Sequence, residues 1–184
     1  MNERFKYFSI ILKVRGGENV NWKLLRKVDM VDKMIELKFP NPLDLAICLK
    51  NFEGIAQNSN VDKSRIRRFR FKSFIGQLEK GLENSRPHYN LSVRTSSKVL
   101  VSTLVRELSL MLYNVKNCKS ISVEPTHDVD SLDKYCLKLE TRLLLPSTSY
   151  YPPLVDIRMG EFIEALKEDE ELKKFITILV CTKE

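Results

Sequence analysis

The sequence predicts an α+β domain: a central antiparallel sheet of about four to five strands, with helices packed on one face and an active site on the other. Some segments alternate apolar and polar residues with the period of a strand, and others space apolar residues as amphipathic helices do. With 184 residues and 43% hydrophobic content, the chain is long enough to bury a sizeable core. One domain, with or without a C-terminal appendage, is therefore expected.

The predicted sheet is centred on a hairpin. Residues 71–79 and 88–94 alternate in polarity, and the segment 80–87 between them has the Gly, Asn, Ser and Pro content of a turn. Further strands are predicted at 5–15 and 118–124. Over these four strands one face is apolar, and helices would cover it. The other face carries Ser9, Lys13, Arg15, Gln77, Glu79, His88, Asn90, Ser92, Arg94 and Ser122.

Helical spacing of apolar residues predicts the remaining elements. The first helix would span 21–37, and its apolar residues near helical spacing are Leu24, Leu25, Val28, Val31, Met34 and Ile35. Further helices are predicted from 43 to 52, from an N-cap at 95–97 to Tyr113, from 129 to 143 with Asp128 or Asp130 as cap, and from 159 to 175.

Composition narrows the functional class. The net charge of +7 and the pI near 9.2 favour a polyanionic partner. No apolar run is long enough to span a bilayer, and residues 1–15 are charged and lack a cleavable apolar segment, so neither a membrane location nor secretion is expected. The four cysteines are far apart and form no CxxC pair, which disfavours a zinc site and a disulfide framework and indicates an intracellular setting.

Three polar side chains of the hairpin share its outer face. A carboxylate from Glu79, an imidazole from His88 and an amide oxygen from Asn90 form a set that can hold Mg or Mn. Glu83 and Glu124 are rivals for the carboxylate position. Glu79 is preferred because it has the right face parity and spacing from His88.

Tyr135 and Lys138 lie three residues apart on the helix predicted at 129–143, so they share a flank of it. If this flank faces the cation cluster, the parts of a phosphoryl-transfer site are present. The Tyr135 hydroxyl would attack a DNA phosphorus while the cation polarises the scissile phosphate. Lys138 would stabilise charge on the phosphate or on the attacking phenolate.

The basic run at 63–72 leads into the hairpin and allows two interpretations. It is either a charged strand end that protects a sheet edge, or a phosphate contact whose interleaved aromatic residues stack on bases. Strict alternation would turn its basic side chains toward the core, so either this end projects beyond the core or a bulge intervenes. The candidate nucleic-acid contacts over the whole chain are Lys13, Arg15, Arg68, Arg70, Lys72 and Arg94.

The order of elements and motifs resembles the HUH-type endonuclease domain of replication initiator (Rep) proteins from circular single-stranded DNA viruses and plasmids, where U is a hydrophobic residue. Circovirus-like and nanovirus-like members have a Glu, a turn, Pro-His-hydrophobic-Gln, and later Tyr-Cys-x-Lys followed by Thr-Arg and Pro. Over residues 5–146 the matching positions here are Glu79, PHYN at 87–90, YCLK at 135–138, TR at 141–142 and Pro146. Asn90 stands where the family has Gln or His, and the first strand lacks the family's usual Thr and Asn.

This resemblance implies an RRM-like sheet and metal-dependent nicking and joining of single-stranded DNA. Tyr135 would become joined to the 5′ phosphate, and the free 3′ hydroxyl would prime rolling-circle replication. Glu79, His88 and Asn90 would be ligands of Mg or Mn, with no small-molecule cofactor. The partner would be an origin stem-loop, in the host nucleus for a eukaryotic virus and otherwise in the cytoplasm. A non-catalytic origin-binding or nucleic-acid-binding module on the same scaffold is the alternative.

The expected domain boundary follows the extent of the resemblance. Residues 1–146 would form the endonuclease domain, and 147–184 a linker and an extension that either stands apart or belongs to the same domain. No Gly-x-x-x-x-Gly-Lys-Ser/Thr phosphate loop occurs. Rep proteins usually carry a helicase domain, so a helicase would be supplied in trans or by a further C-terminal domain.

Overall fold

The computed structural model describes residues 3–56, 67–81, 86–138, 140–143 and 154–156. The predicted α+β class with a central antiparallel sheet is confirmed. In chain order the described elements are β1 (Arg4–Lys13), a 3-10 turn (Trp22–Leu24), α1 (Lys27–Glu36), α2 (Pro42–Lys50), β2 (Gly54–Ile55), β3 (Arg68–Phe69), β4 (Phe71–Lys80), β5 (Pro87–Leu100), α3 (Val101–Tyr113), β6 (Ile121–Pro125), α4 (Val129–Tyr135) and β7 (Leu154–Asp156).

The main sheet has the strand order β6-β1-β5-β4-β7, and every neighbouring pair is antiparallel. The predicted hairpin is β4 with β5, whose register puts Glu79 opposite His88 and Gln77 opposite Asn90. On the other side of β5, Lys13 of β1 also pairs with His88. Residues from three strands are therefore aligned at one end of the sheet. The short strands β2 and β3 form a separate antiparallel pair.

The core lies between the inner face of this sheet and the helices α1, α2 and α3. Each buried Leu, Ile or Phe side chain stabilises the fold by roughly 1.5–3 kcal/mol relative to an exposed one. The strands contribute Phe8, Ile10, Leu12, Phe74, Leu78, Tyr89, Leu91 and Val93, and the helices contribute Met30, Val31, Met34, Leu45, Leu49, Leu104 and Leu108.

The first helix is shorter than predicted. It begins at Lys27, because the preceding residues form the 3-10 turn at Trp22–Leu24. The buried stripe predicted for it is confirmed at Val31 and Met34. It is wrong at Leu24, Val28 and Ile35, which are 79%, 55% and 52% exposed. The helix rests on the core through one narrow stripe, and its buried residues are Met30, Val31 and Met34.

The helix cap predicted at 95–97 is also wrong. These residues continue β5, which runs to Leu100 because its end pairs with β1 through Phe5 opposite Val99. The helix α3 then begins at Val101 without a side-chain cap. Its end at Tyr113 is as predicted, and Asn114 follows in the left-handed conformation that terminates many helices.

The helix predicted at 129–143 is confirmed only in its first half. Asp128 caps it by accepting a hydrogen bond from the Ser131 backbone N–H, but α4 ends at Tyr135. A turn follows, and the chain then joins the edge of β4. There the Lys80 N–H donates to the Thr141 carbonyl, and the Leu143 N–H donates to the Leu78 carbonyl, both at 3.0 Å. These backbone bonds leave residues 141–143 extended rather than helical.

The start of β4 contains the bulge offered as one alternative for the basic run, since the register with β5 shifts between Phe71 and Ser73. The aromatic residues of the run are not available for stacking on bases. Phe69 is 1% exposed and Phe71 is 5% exposed, and both rings pack against Phe52. The first part of the run, 63–66, lies outside the described residues.

In the C-terminal region, Leu154–Asp156 form β7 and pair with the outer edge of β4. These three residues of the expected extension therefore belong to the main sheet. The helix predicted at 159–175 lies outside the described residues. Among the residues that are described, no helix combines the length and apolar character needed to cross a membrane.

Candidate active site

The outer face of the sheet is not the open polar surface that the alternation predicts. The helix α4 and the turn after it lie across β5 and β4. As a result Gln77, Glu79, Asn90 and Ser92 are all buried. Polar groups buried in this way need hydrogen-bond partners, and those partners define the site.

A cleft of about 300 Å³ opens where α4 ends against the sheet. The strand ends position the carboxylate and imidazole, because Glu79 and His88 are directly opposite each other in the hairpin. The helix end brings two further groups from a distant part of the sequence. Side chains that line the cleft include Lys13, Glu79, Arg86, His88, Tyr135 and Lys138.

Glu79 is the centre of the cleft. Both of its carboxylate oxygens lie 3.0 Å from Lys138 Nζ, and Oε1 lies 3.4 Å from His88 Nε2. Gln77 Nε2 donates a hydrogen bond of 2.9 Å to Oε2. Burial alone would raise the pKa of Glu79, but the hydrogen bonds from His88, Gln77 and Lys138 hold it below the ordinary value. The buried carboxylate is therefore ionised at neutral pH.

His88 faces hydrogen-bond acceptors at both ring nitrogens. Its Nδ1 lies 3.4 Å from the Arg86 carbonyl oxygen, and its Nε2 faces Glu79 Oε1. A neutral imidazole carries only one N–H, so it can donate on one side only. With the proton on Nε2, His88 donates to Glu79 Oε1. With the proton on Nδ1, where the Arg86 carbonyl can accept it, the Nε2 lone pair would instead be available to a cation beside Glu79.

Lys138 lies between Glu79 and Tyr135. Its Nζ is 3.7 Å from the centre of the Tyr135 ring and within 3.4 Å of the Tyr135 carbonyl oxygen. Tyr135 itself lines the cleft and is 56% exposed, so more than half of the residue's surface is open to solvent. The arrangement places an accessible phenol beside a cation that is already anchored to a buried carboxylate.

The structure does not bring Asn90 into the cleft with Glu79 and His88. Asn90 is 2% exposed, lies two residue pairs further along the hairpin, and accepts a hydrogen bond of 3.5 Å from Cys136 Sγ. Within the described residues there is no cluster of three or more His, Cys, Asp or Glu side chains that could hold a metal ion.

A divalent cation could nevertheless fit between Glu79 Oε1 and His88 Nε2. Neighbouring ligands of an octahedral Mg²⁺ with bonds of about 2.1 Å stand about 3 Å apart, close to the 3.4 Å seen here. Mg²⁺ keeps several waters and takes few protein ligands when phosphate oxygens complete its coordination. Two protein ligands are therefore compatible with such a site.

Gln77 and Arg142 are site residues that the sequence pattern does not single out. The guanidinium Nε of Arg142 donates to Gln77 Oε1 at 2.7 Å, and Nη2 donates to the Leu137 carbonyl at 2.7 Å. Gln77 Nε2 in turn donates to the Lys138 carbonyl at 2.6 Å. The sequence does place Gln77 on the same face of the strand as Glu79, because the two residues are two positions apart, but it does not show that Gln77 bonds Glu79.

The predicted nucleic-acid contacts fall into separate regions. Lys13 lines the cleft together with Arg86, which was not predicted and which bonds the Val14 carbonyl and Glu18. Arg15 lies over the Tyr113 ring, 5.6 Å from its centre. Lys13 and Arg15 thus flank one end of the sheet.

Lys72 and Arg94 line a second cleft of about 250 Å³. Arg94 lies over the ring of Tyr7, and Val129 at the start of α4 closes the cleft. Because Tyr135 ends α4 in the first cleft, this helix extends from one cleft to the other.

Arg68 and Arg70 both form ion pairs with Glu53, at 2.8 and 3.1 Å. At about 3.3 Å per strand residue, Arg70 lies roughly 30 Å from Glu79. These two arginines are therefore remote from the first cleft and partly neutralised.

Comparisons with known proteins do not assign the chain to a family. No protein-family model matches it, and no curated protein matches it. The resemblance to Rep endonucleases consequently rests on the sequence motifs, and any function rests on the cleft.

Proposed function

We propose that this protein is a replication initiator endonuclease that nicks and joins single-stranded DNA through a covalent 5′-phosphotyrosine. One observation carries the proposal: a single cleft holds Tyr135, Lys138, Glu79 and His88, which come from the hairpin and from a separate helix end. A tyrosine and a lysine on a helix are commonly structural. Their position at a buried, ionised carboxylate beside an imidazole favours a catalytic role.

The proposed cofactor is Mg or Mn, which Glu79 and His88 would hold. When bound, the cation would polarise the scissile phosphate and offset its negative charge. Glu79 would supply the anionic ligand. His88 would bind the cation through Nε2 once its ring proton is on Nδ1, where the Arg86 carbonyl can accept it. Asn90 would join the ligand set only if the Cys136 thiol released its side chain.

In the proposed reaction the Tyr135 oxygen attacks the phosphorus of one DNA phosphodiester. The new Tyr135 O–P bond forms as the bond from phosphorus to the 3′ oxygen breaks, so the products are a 5′-phosphotyrosine and a 3′ hydroxyl. The phenolic proton passes to solvent, and the departing 3′ oxygen takes a proton from solvent. Lys138, next to the Tyr135 ring, stabilises negative charge on the phenolate and the phosphate. Reversal of the step joins DNA ends.

The clefts suggest where the DNA strand would lie. Lys13 and Arg86 flank the first cleft, and Lys72 and Arg94 flank the second, so positive side chains stand at both ends of α4. Such side chains bind phosphates without reading sequence. The proposed substrate is the single-stranded part of an origin stem-loop, and the reaction would start rolling-circle replication.

The test is covalent capture. Labelled single-stranded stem-loop DNA is incubated with the protein, with and without Mn, and the products are separated under denaturing conditions. A metal-dependent adduct that Tyr135→Phe abolishes supports the proposal. The matched control is Tyr113→Phe, because Tyr113 belongs to α3 and does not line the cleft; it should retain the adduct. Cleavage that persists in Tyr135→Phe would refute the proposed nucleophile.

A non-catalytic origin-binding or nucleic-acid-binding module is the second candidate. The observation that favours it is that Lys138 already neutralises Glu79 while Asn90 is covered by Cys136. Such a module would bind single-stranded DNA with strong salt dependence and would form no adduct under any metal condition.

A further inference from the structure

A buried chain of hydrogen bonds runs from Arg142 through Gln77 to Glu79. Gln77 is fully buried and Arg142 is 6% exposed. The Gln77 amide oxygen accepts from Arg142 Nε at 2.7 Å. Its amide nitrogen donates to Glu79 Oε2 at 2.9 Å and to the Lys138 carbonyl at 2.6 Å. One side chain therefore connects the cleft carboxylate to the turn that follows Tyr135.

The chemistry of the partners fixes the orientation of the Gln77 amide. A guanidinium has donors only, so the amide oxygen must face Arg142. An ionised carboxylate and a backbone carbonyl have acceptors only, so the amide nitrogen must face Glu79 and Lys138. Rotating the amide by 180° would break all three bonds.

We infer that Gln77, oriented by Arg142, is a positioning residue for the cleft. It holds Glu79 Oε2 so that Oε1 stays beside His88 Nε2, and it ties the Lys138 carbonyl to the same point. Gln77 does not line the cleft, so it acts through Glu79 and through the Tyr135–Lys138 turn rather than on DNA. This inference rests on the proposed function, because it assigns the arrangement to cation binding and tyrosine attack.

Arg142 completes the arrangement from the other side of the turn. Its Nη2 donates to the Leu137 carbonyl at 2.7 Å, so two adjacent carbonyls, of Leu137 and Lys138, are held by the same pair of side chains. A turn fixed at two consecutive carbonyls keeps the Lys138 ammonium and the Tyr135 ring at a set distance from the carboxylate. Preorganisation of this kind lowers the cost of reaching the reacting geometry.

The experiment uses the full chain with Gln77→Met, which keeps the side-chain length and removes all three hydrogen bonds. Arg142→Met and Arg142→Lys form a second pair, because lysine can still donate to Gln77 Oε1. Thr95→Val is the matched control, since Thr95 is also a fully buried hydrogen-bonded side chain but lies far along β5 from His88 and contacts neither reference thiol nor cleft. Melting temperatures show how much each substitution costs in stability.

Two readouts separate positioning from a general loss of stability. The first is Mn²⁺ affinity, measured from the electron paramagnetic resonance signal of free Mn²⁺, together with the Mn²⁺ concentration that gives half-maximal adduct formation. The second is the alkylation rate of the buried Cys136 thiol, located by mass spectrometry, with buried Cys118 as the internal reference for global unfolding.

We expect Gln77→Met to weaken Mn²⁺ binding and to raise the half-maximal Mn²⁺ concentration about tenfold, the ratio that loss of one charge-assisted hydrogen bond gives. Cys136 should be alkylated faster in Gln77→Met while Cys118 is unchanged. Arg142→Met should act in the same direction, and Arg142→Lys should recover part of the affinity. Thr95→Val should lower the melting temperature without changing either readout.

The results distinguish failure of this inference from failure of the proposed function. If the unmodified protein binds Mn²⁺ through Glu79 and His88 and forms an adduct, but Gln77→Met matches it in affinity and Cys136 reactivity, the positioning role is refuted alone. If Mn²⁺ binds and weakens in Gln77→Met but no adduct forms, the positioning role stands and the endonuclease proposal fails. Absence of Mn²⁺ binding by the unmodified protein overturns both.

Discussion

The ammonium of Lys138 is equidistant from the two carboxylate oxygens of Glu79, at 3.0 Å from each. The same nitrogen lies over the Tyr135 ring. In this arrangement Lys138 supplies the positive charge that a divalent cation would supply to Glu79. A divalent cation bound as proposed would therefore share this carboxylate with Lys138.

Lys138→Met should bind Mn²⁺ more tightly than the unmodified protein and yet form the adduct more slowly. Affinity rises because the cation no longer shares Glu79 with an ammonium, and about tenfold corresponds to 1.4 kcal/mol of lost competition. The rate falls because the phenolate and phosphate lose a neighbouring positive charge. Mn²⁺ titration and single-turnover adduct formation measure the two effects.

The control for this prediction is Lys134→Met, since Lys134 is an exposed residue of α4, just before the turn that carries Lys138, and does not line the cleft. It removes the same charge without touching Glu79, so both quantities should match those of the unmodified protein. Equal Mn²⁺ affinity in Lys138→Met and the unmodified protein would contradict the idea of a shared carboxylate.

The lowered pKa of Glu79 also predicts how the stability of the folded protein depends on pH. Its pKa is lowered in the folded state: burial opposes ionisation, but the hydrogen bonds from His88, Gln77 and Lys138 outweigh it. A carboxyl with a depressed folded pKa gives stability that is present above the unfolded value and is lost as pH falls through the folded value. The loss should therefore come below pH 4.5, the ordinary value for this group.

Urea unfolding at several pH values between 6 and about 3, a window that spans the reference glutamate pKa, measures this effect. The unmodified protein should lose more stability over this range than Glu79→Gln, whose amide does not titrate. Parallel stability curves for the two proteins would show that Glu79 is not held ionised by its neighbours.

Much of the fold is predictable from the sequence because alternation fixes which face each strand residue occupies. Glu79 and His88 lie opposite each other because strand side chains alternate between the two faces and because the length of the turn sets the register of the hairpin. The helix predicted at 129–143 is wrong in its second half for a different reason. Its apolar spacing continues past Tyr135, but backbone hydrogen bonds between β4 and residues 141–143 hold the chain at the edge of the sheet. Contacts so distant in sequence leave no local signal.

The same cause explains what was missed in the site. Asn90 is on the right face but lies two residue pairs from Glu79 and His88, under a cysteine whose position depends on where α4 ends. Arg142 reaches Gln77 only because residues 141–143 leave the helical path. Periodicity identifies the face of the sheet that holds a site, whereas the element that covers the face is decided by tertiary packing.

The two basic regions should contribute unequally to DNA binding. Arg94 lines the second cleft, whereas Arg70 is paired with Glu53 at the far end of β4. We expect Arg94→Ala to weaken binding of single-stranded DNA and to reduce the salt slope by about 0.7, the value for one lost phosphate contact. Arg70→Ala should leave the slope unchanged. Fluorescence anisotropy over a salt series measures both, and a larger slope change in Arg70→Ala would place the DNA elsewhere.

Replacing Gly76, at the centre of the hairpin, should destabilise the protein. A Cβ built on it would collide with the Asn90 carbonyl oxygen and lie 2.7 and 2.9 Å from two Leu91 atoms, one of them in the backbone. Because backbone atoms of β5 cannot move aside without breaking the pairing that sets Gln77 opposite Asn90, Gly76→Ala should destabilise the protein by about 3 kcal/mol.

Urea unfolding would measure the loss of stability in Gly76→Ala. Ser73→Ala in the same strand is the control and should cost less than about 1 kcal/mol, in line with substitutions that create no overlap. If Gly76→Ala were as stable as Ser73→Ala, the close approach of β4 and β5 at this pair, and with it the register that aligns Glu79 and His88, would be wrong.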